Sequence, residues 1–395
     1  MTPTSTTLPV NHVGGARYQM LDIWRGVVCL VVVLEHAGVV LWSGLYEASG
    51  WPAWFQQKAV WLLTLNCGTP LFFVMSGYCI AASLESLRRK GGTPLTFLSR
   101  RFWRIVPTYW AALLFFFLVV AWLDRLGFNR LHDNPYGLSL VSPETLNNAQ
   151  WFGNLTLIET WRPHLFGGAS SVFTRVAWSL CYQEQFYVIC VLALWLAPAR
   201  VDRFLAVATV LIGSVRIMAW DSGGVEQIFS GTFPYLWHEF AVGLAVYWRL
   251  NRPTSSRERR LLEAGLVALA FVGYRSEFTS TFAAAVFGLV LIFMHRWDHV
   301  AGSLRILAPV KSCGKRSFSI YLVHLPVASV MSAVLCDLGF TSLGVRAFLV
   351  FPVAAAASVC VGWVFHRGVE SHFLGQPPFL APRTSTISAG RAIAV

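Results

Sequence analysis

Long apolar blocks, separated by short polar segments, dominate the pattern of hydrophobic and polar positions along this chain. Four blocks, 23–42, 60–84, 105–123 and 348–365, come close to the roughly 20 residues that an apolar helix needs to cross a bilayer. Such blocks lack the polar face of a helix that packs on a soluble core, so they predict membrane spans. Six further candidates, which bring the total to ten, are 176–197, 204–220, 233–247, 261–274, 281–293 and 318–335.

The composition of the chain supports this interpretation. Of its 395 residues, 55% are hydrophobic and only 13% are charged, whereas about a quarter are charged in a soluble domain. We therefore expect an all-α, polytopic integral membrane protein, a bundle of about ten transmembrane helices in the lipid bilayer. The segment before Arg17, the first charged residue, lacks a basic region followed by a cleavable apolar stretch, so we expect no signal peptide.

The distribution of charge predicts how the bundle is oriented. The formal net charge is +12, and with the N-terminus inside, most Lys and Arg residues fall in cytoplasmic segments. This positive-inside bias requires an even number of spans with both termini cytoplasmic, as in a multi-pass protein of the bacterial cytoplasmic membrane. It also explains the basic charge better than nucleic-acid binding does, so we expect no nucleic acid as a partner.

Cysteine spacing and the lack of repeats narrow the functional classes. The eight Cys residues are scattered and include no CxxC spacing, so we expect packing residues and neither a metal site nor disulfides. The blocks show no internal repeat of the kind on which many transporters are built. The segment 124–175 is external in this topology, and its Tyr136, Trp151, Trp161 and His164 either contact a saccharide or anchor the loop at the interface.

Ionisable residues inside the first block are candidates for a functional site, because a charged or titratable group is costly in lipid. Arg25 and His36 are 11 residues apart, about three helical turns, so they share a helix face about 16 Å apart along the axis. Glu35 points about 100° away and is not an obvious partner of the imidazole. His36 either bonds a neighbouring helix or, as a desolvated neutral imidazole, accepts a proton.

Two later blocks carry further buried polar residues. If Trp178 lies near the outer surface, Glu184 falls about 9 Å deeper, at a level comparable with His36. A carboxylate at this depth needs a partner, although neighbouring Gln residues are explained by packing between helices. His324 in the ninth block either lines the same cavity or forms a hydrogen bond to a neighbouring helix.

A basic cluster lies between the second and third blocks, in a segment predicted to be a cytoplasmic loop. Arg100, Arg101 and Arg104 follow the upstream run 88–90, which is also basic. Arginine forks bind phosphate oxygens bidentately, which suits coenzyme A. Anionic lipids and the positive-inside rule predict the same cluster without any ligand.

Taken in order, these motifs resemble the membrane-bound acyltransferase family 3, whose members O-acylate lipopolysaccharide, exopolysaccharides, nodulation factors and macrolides. The similarity extends over about residues 20–372, and its departure from the family pattern is Glu35, where an apolar or aromatic residue is expected. The motifs are LDIWRG at 21–26 and LEHA at 34–37, GTPLFFVMSGY at 68–78, RRFWRIVP at 100–107, WSL at 178–180 with Glu184 and Tyr187, SFSIYLVH at 317–324, and the late Glu370.

The resemblance implies a membrane-bound O-acyltransferase with an essential His in the first span and an acyl-CoA donor, expected to be acetyl-CoA, that enters from the cytoplasm. The acceptor is then a hydroxyl of a carbohydrate or lipid-linked saccharide, or alternatively a macrolide. We expect His36, Arg25 and Glu184 to be catalytic and Arg100, Arg101 and Arg104 to bind the donor. Other candidate cavity residues are Glu35, Ser76, Trp178, Tyr187, Tyr321 and His324.

The predicted organisation is a cytoplasmic tail over 1–20, the transmembrane domain over 21–372 and a flexible cytoplasmic tail over 373–395. In the expected mechanism His36 takes the proton of the acceptor hydroxyl as a general base. The alternative is a covalent acyl-His intermediate, from which the acyl group passes to the acceptor. The competing hypothesis is a proton-coupled transporter of a small solute or sugar that uses His36 and Glu184 as a relay.

Overall fold

The computed structural model describes residues 18, 20–42, 52, 54, 67–135, 137–220, 229–252, 255–275 and 279–374. These residues form no strand, which confirms the all-α prediction. Both predicted tails lie largely outside the described residues. The described residues form ten helices of 15 residues or more: α1 (Leu21–Gly38), α2 (Gly68–Arg89), α3 (Pro94–Arg125), α4 (Ala177–Leu196), α5 (Val201–Trp220), α6 (Trp237–Asn251), α7 (Ser256–Arg275), α8 (Thr279–Met294), α9 (Ser317–Asp337) and α10 (Phe351–Phe365).

Shorter helices connect or extend these elements. The segments that flank α10 are helical too, so a single apolar helix runs over Leu343–Phe373. The other short α-helices are Asn148–Thr156, Arg162–Phe166, Asp298–Ser303 and Ala308–Lys315.

Seven helices in the described part of the chain are long and apolar enough to cross a membrane, which makes the protein a multi-pass membrane protein. These seven include α1 to α4, α8, α9 and α10, and the spans of α1, α8 and α10 include the short helices that extend them. Helix α6 has only 15 residues, and α7 begins with a charged turn over 257–260. The count of ten spans and the cytoplasmic position of both termini stay predictions.

Helices α2 and α6 pack closely because glycines face each other across their interface. A Cβ atom at Gly77 would overlap the carbonyl oxygen of Phe240, and one at Gly243 would overlap the carbonyl oxygen of Val74. Only glycine permits this backbone approach, which is the packing that small residues give in membranes. Gly77 of the motif GTPLFFVMSGY at 68–78 therefore allows α2 to pack directly on the backbone of α6.

Helix α3 begins much earlier than the predicted span at 105. Thr93 accepts a hydrogen bond from the backbone N–H of Thr96 at 3.2 Å, and Pro94 occupies the first helical position. Both features favour a helix start, since the cap satisfies a free N–H and proline lacks one. The arginine motif is consequently helical, and its prediction as a loop was wrong.

Candidate functional site

A pair of histidines joins α1 to α9. The ring of His324 is fully buried, and that of His36 is half-buried. The rings meet edge to face, with centroids 5.0 Å apart, and Nε2 of His324 lies 3.3 Å from Nδ1 of His36. The sequence left the role of His324 open, and the structure places it beside the first-span histidine.

Backbone carbonyls determine which nitrogen of each ring carries the hydrogen. Nδ1 of His36 lies 2.8 Å from the carbonyl oxygen of Val32, and Nδ1 of His324 lies 2.6 Å from that of Tyr321. Because a carbonyl oxygen only accepts hydrogen bonds, both Nδ1 atoms are donors. Nε2 of His324 is then an acceptor for His36, and Nε2 of His36 keeps its lone pair. His36 is thus held in the tautomer that a general base needs.

Tyr321 connects the histidine pair to α4. Its hydroxyl lies 2.6 Å from the hydroxyl of Ser179, which itself donates to the carbonyl oxygen of Val176 at 3.0 Å. The ring of Tyr321 stacks on that of Phe72, with centroids 4.6 Å apart, and lies 5.5 Å from the ring of His324. Two motifs that are far apart in the sequence therefore meet at one contact.

A narrow cavity lies beside this aromatic contact, and water molecules could occupy about 60 Å³ of it. None of the described residues that line it is acidic. The cavity therefore carries the positive charge of three guanidinium groups, which suits a ligand with phosphates. Its lining residues are Arg25, Val28, Phe72, Met75, Ser76, Cys79, Ile80, Arg101, Arg104, Ile105, Gln183, Tyr187 and Phe318.

The arginines of the cavity are held by neighbouring helices. Arg25 donates a hydrogen bond to the hydroxyl of Ser317 at 3.0 Å, which ties the first turns of α1 to the start of α9. Arg101 lies over the rings of Phe97 and Tyr187, at 5.3 and 5.4 Å from their centroids. Arg25 and His36 both contact α9, as their predicted common helix face requires.

Gln183 is a cavity residue that the sequence did not single out. Its side-chain amide donates a hydrogen bond to the hydroxyl of Ser76 at 2.6 Å, and both residues line the cavity. In the sequence this glutamine was explained by helix packing. The signal that could have identified Gln183 in the sequence was its position directly before Glu184 in the same motif.

Several predicted site residues lie away from the cavity or from His36. Arg100 is exposed and does not line the cavity, because it lies on a different face of α3 from Arg101 and Arg104. Glu184 is also absent from the lining, and its charged neighbour is Arg101. Trp178 packs against Phe73 and Tyr182.

Glu184 and His36 form no hydrogen bond or ion pair with each other in the described part of the chain, and their common level stays a prediction. His36 lies in the last turn of α1, whereas Glu184 is the eighth residue of α4. If both helix ends mark the outer surface, Glu184 lies about two turns into its helix. The structure does not bring these two residues together.

Glu35 has a structural partner at the start of α2. Its carboxylate accepts hydrogen bonds from the backbone N–H groups of Cys67 at 3.0 Å and Gly68 at 3.2 Å. A carboxylate at this position satisfies free N–H groups and complements the helix dipole. Glu35 therefore points to α2 and not to the imidazole of His36.

The loop between α3 and α4 packs over the histidine pair. Leu138 packs against the cluster of Val32, Val176, Tyr321 and Leu325. The loop is tied to the end of α9 by an ion pair between Arg130 and Asp337 at 3.0 Å. This segment covers the cluster on the side where α9 ends.

The rest of this loop is held by its own polar and aromatic contacts. Glu159 is fully buried, and its hydrogen bonds raise the pKa of the Arg162 guanidinium above its ordinary value. Trp151 packs against the rings of Phe117 and Phe173, and His164 contacts the carbonyl oxygen of Ser230. Tyr136 lies outside the described residues, so the choice between saccharide contact and interfacial anchoring stays open.

Comparisons with known proteins agree with this site. The family model described as an acyltransferase domain matches residues 18–367. YrhL of Bacillus subtilis, provisionally named a peptidoglycan O-acetyltransferase, is 27% identical over 304 residues, which cover 69% of this chain and 45% of that protein. The peptidoglycan O-acetyltransferase OatA of Listeria monocytogenes is 24% identical over 302 residues, which cover 68% and 46%.

The chain spans about half the length of these curated relatives. No solved structure shows a significant match to it. In the described part of the chain, no group of three or more His, Cys, Asp or Glu residues is arranged to hold a metal ion.

Proposed function

Because the chain belongs to the membrane-bound acyltransferase family 3, we propose that it transfers a short acyl group, expected to be acetyl, from acyl-CoA to a hydroxyl of a cell-envelope carbohydrate. The observation that carries this proposal is Nε2 of His36, which has no hydrogen-bond partner among the described residues. Phe72 connects the apolar cluster next to this histidine with a cavity lined by three arginines. The names of the relatives support a saccharide acceptor. In this proposal the donor enters from the cytoplasm.

The donor side of the proposed site uses the cationic cavity. Arg101 and Arg104 bind the phosphates of coenzyme A, since guanidinium groups form bidentate hydrogen bonds with phosphate. Arg25 lies further along the same cavity and guides the thioester toward the histidine pair. Glu184 lies in α4 outside the cavity lining, close enough to Arg101 for their charges to attract each other.

The acceptor side of the proposed site uses the histidine pair. Nε2 of His36 takes the proton of the acceptor hydroxyl while the hydroxyl oxygen attacks the thioester carbon. The carbon–sulfur bond then breaks, and the imidazolium returns the proton to the leaving thiolate. While His36 is charged, its Nδ1–H donates to Val32 and His324, which stabilises the imidazolium. An acyl group carried by Nε2 would use the same free lone pair.

One experiment separates this proposal from the transporter hypothesis. The purified protein is reconstituted in liposomes with acetyl-CoA labelled in its acetyl group and with N-acetylglucosamine oligosaccharides as acceptor. The proposal predicts labelled oligosaccharide together with free coenzyme A. An intact thioester with label moved across the membrane would indicate a transporter and contradict the proposal.

A further inference from the structure

We infer that Phe72 sets the upper length of the acyl group that this site accepts. The inference rests on the proposed function, because it concerns the donor of that reaction. It assigns a selectivity role to a residue that makes no polar contact with either substrate.

Phe72 lies between the cationic cavity and the histidine pair. It lines the cavity with Arg25 and Arg101, and it also packs against the apolar cluster that contains Val32 and Tyr321. His36 and His324 do not line the cavity in this structure, yet both contact members of this cluster through their Nδ1 atoms. An acyl group that moves from the arginines toward Nε2 of His36 must therefore pass the Phe72 ring.

The Phe72 ring is held in place from the far side. It stacks on Tyr321 with an interplanar angle of 24°, and the Tyr321 hydroxyl is fixed by Ser179 at 2.6 Å. Tyr321 is itself buried in α9. Phe72 cannot move toward α9 unless this hydrogen-bonded tyrosine moves too, so the ring acts as a firm wall.

The size of the cavity agrees with a short acyl group. Its volume of about 60 Å³ corresponds to about four to six water-sized groups, because one such group needs about 10–15 Å³ by this measure. In the proposed binding mode only the thioester end of the donor fills this space, and the sulfur and the three heavy atoms of an acetyl thioester come to four such groups. A hexanoyl group adds four methylene groups, which must take the space of the Phe72 ring.

The test compares acetyl-CoA with hexanoyl-CoA in the wild-type protein and in Phe72→Ala, Phe72→Leu and Phe73→Leu. Phe73 is the matched control because it neighbours Phe72 in α2 but packs against Trp178 and Phe186, away from the cavity. Two quantities are measured: the ratio of kcat/KM for the two donors, and the ratio of Kd for their unreactive thioether analogues. The Kd ratio needs no turnover.

The expected result is a shift toward hexanoyl of at least about tenfold in both ratios for Phe72→Ala, which is about 1.4 kcal/mol. Phe72→Leu should give a smaller shift, and Phe73→Leu should give none. Phe72→Leu keeps most of the apolar volume and so serves if the alanine variant does not fold.

Unchanged ratios in the folded Phe72 variants, with normal acetyl transfer by the wild type, overturn the inference alone. A wild-type protein that binds neither analogue and transfers neither group contradicts the proposed function as well.

Discussion

His324 accepts at its Nε2 atom, 3.3 Å from Nδ1 of His36, across the interface between α1 and α9. Since the Nδ1 atoms of both rings donate to backbone carbonyls, this contact leaves the Nε2 lone pair of His36 available for a substrate proton. His324 is then a positioning residue that acts through His36. The two histidines have different tasks even though both lie in the same interface.

This division of tasks predicts different outcomes for variants of His324. His324→Leu removes the acceptor that faces His36 Nδ1, so kcat should fall by about 10- to 100-fold, the range of one hydrogen bond to a charged group. His324→Gln offers a carbonyl oxygen at a similar position and should recover part of kcat. KM for acetyl-CoA should stay nearly unchanged in both variants, because His324 does not line the donor cavity. Equal kcat values for the Leu and Gln variants would indicate a packing role only.

The arginines of α3 should differ in their effect on donor binding. Replacing Arg101 and Arg104 together by Ala should weaken the binding of acetyl-CoA by at least about tenfold, given about 1.5–3 kcal/mol for a charged hydrogen bond. Lysine at both positions should restore part of the affinity, since it keeps the charge but loses the fork. Membrane insertion should not change.

Arg100→Ala is the matched control for this experiment, because Arg100 is exposed and lies outside the cavity. It should bind acetyl-CoA like the wild type in the same titration. A loss of affinity in the Arg100 variant equal to that of the double variant would mean that the surface charge of the cluster, and not the cavity, attracts the donor.

Glu35 should affect stability more than chemistry. Glu35→Ala leaves the backbone N–H groups of Cys67 and Gly68 without their acceptor, which costs about 1–3 kcal/mol for a buried donor. Glu35→Gln keeps one acceptor and should cost less. The melting temperature of both variants should fall, in the order wild type, Gln, Ala. Equal melting temperatures for the three proteins would contradict the structural role of Glu35.

The topology with ten spans predicts the side of the membrane on which each loop lies. An alkaline phosphatase fused within 129–162 should be active, because this loop is external in that topology. A fusion directly after Arg260 should be inactive. The opposite result would require an even number of spans before 129–162, or an odd number before Arg260, and either outcome would refute the orientation.

The sequence predicted most of the helices and named both histidines as candidates, with the role of His324 left open. A long apolar block identifies a membrane helix because a helix that faces lipid needs no polar face and must be long enough to cross the bilayer. Helical periodicity was enough to place Arg25 and His36 on one face, and both indeed contact α9.

Contacts between distant segments could not be predicted in the same way. His36 and His324 are separated by 288 positions, and their meeting depends on how α1 packs against α9. The hydrogen bond between Gln183 and Ser76 likewise depends on how α4 packs against α2. Glu184 was placed near His36 from helix depth alone, but depth does not specify which neighbour a side chain faces, and its charged neighbour is Arg101.

The most direct test of the account is acetyl transfer by His36→Gln. Glutamine forms hydrogen bonds to neighbouring helices but does not act as a base near neutral pH, so it separates chemistry from shape. The variant is reconstituted in liposomes, and transfer of labelled acetyl to oligosaccharide is measured together with acetyl-CoA binding. We predict a loss of transfer of at least about 10²-fold with donor binding unchanged. Substantial transfer by this variant would contradict the account and would move the base to Glu184 or His324.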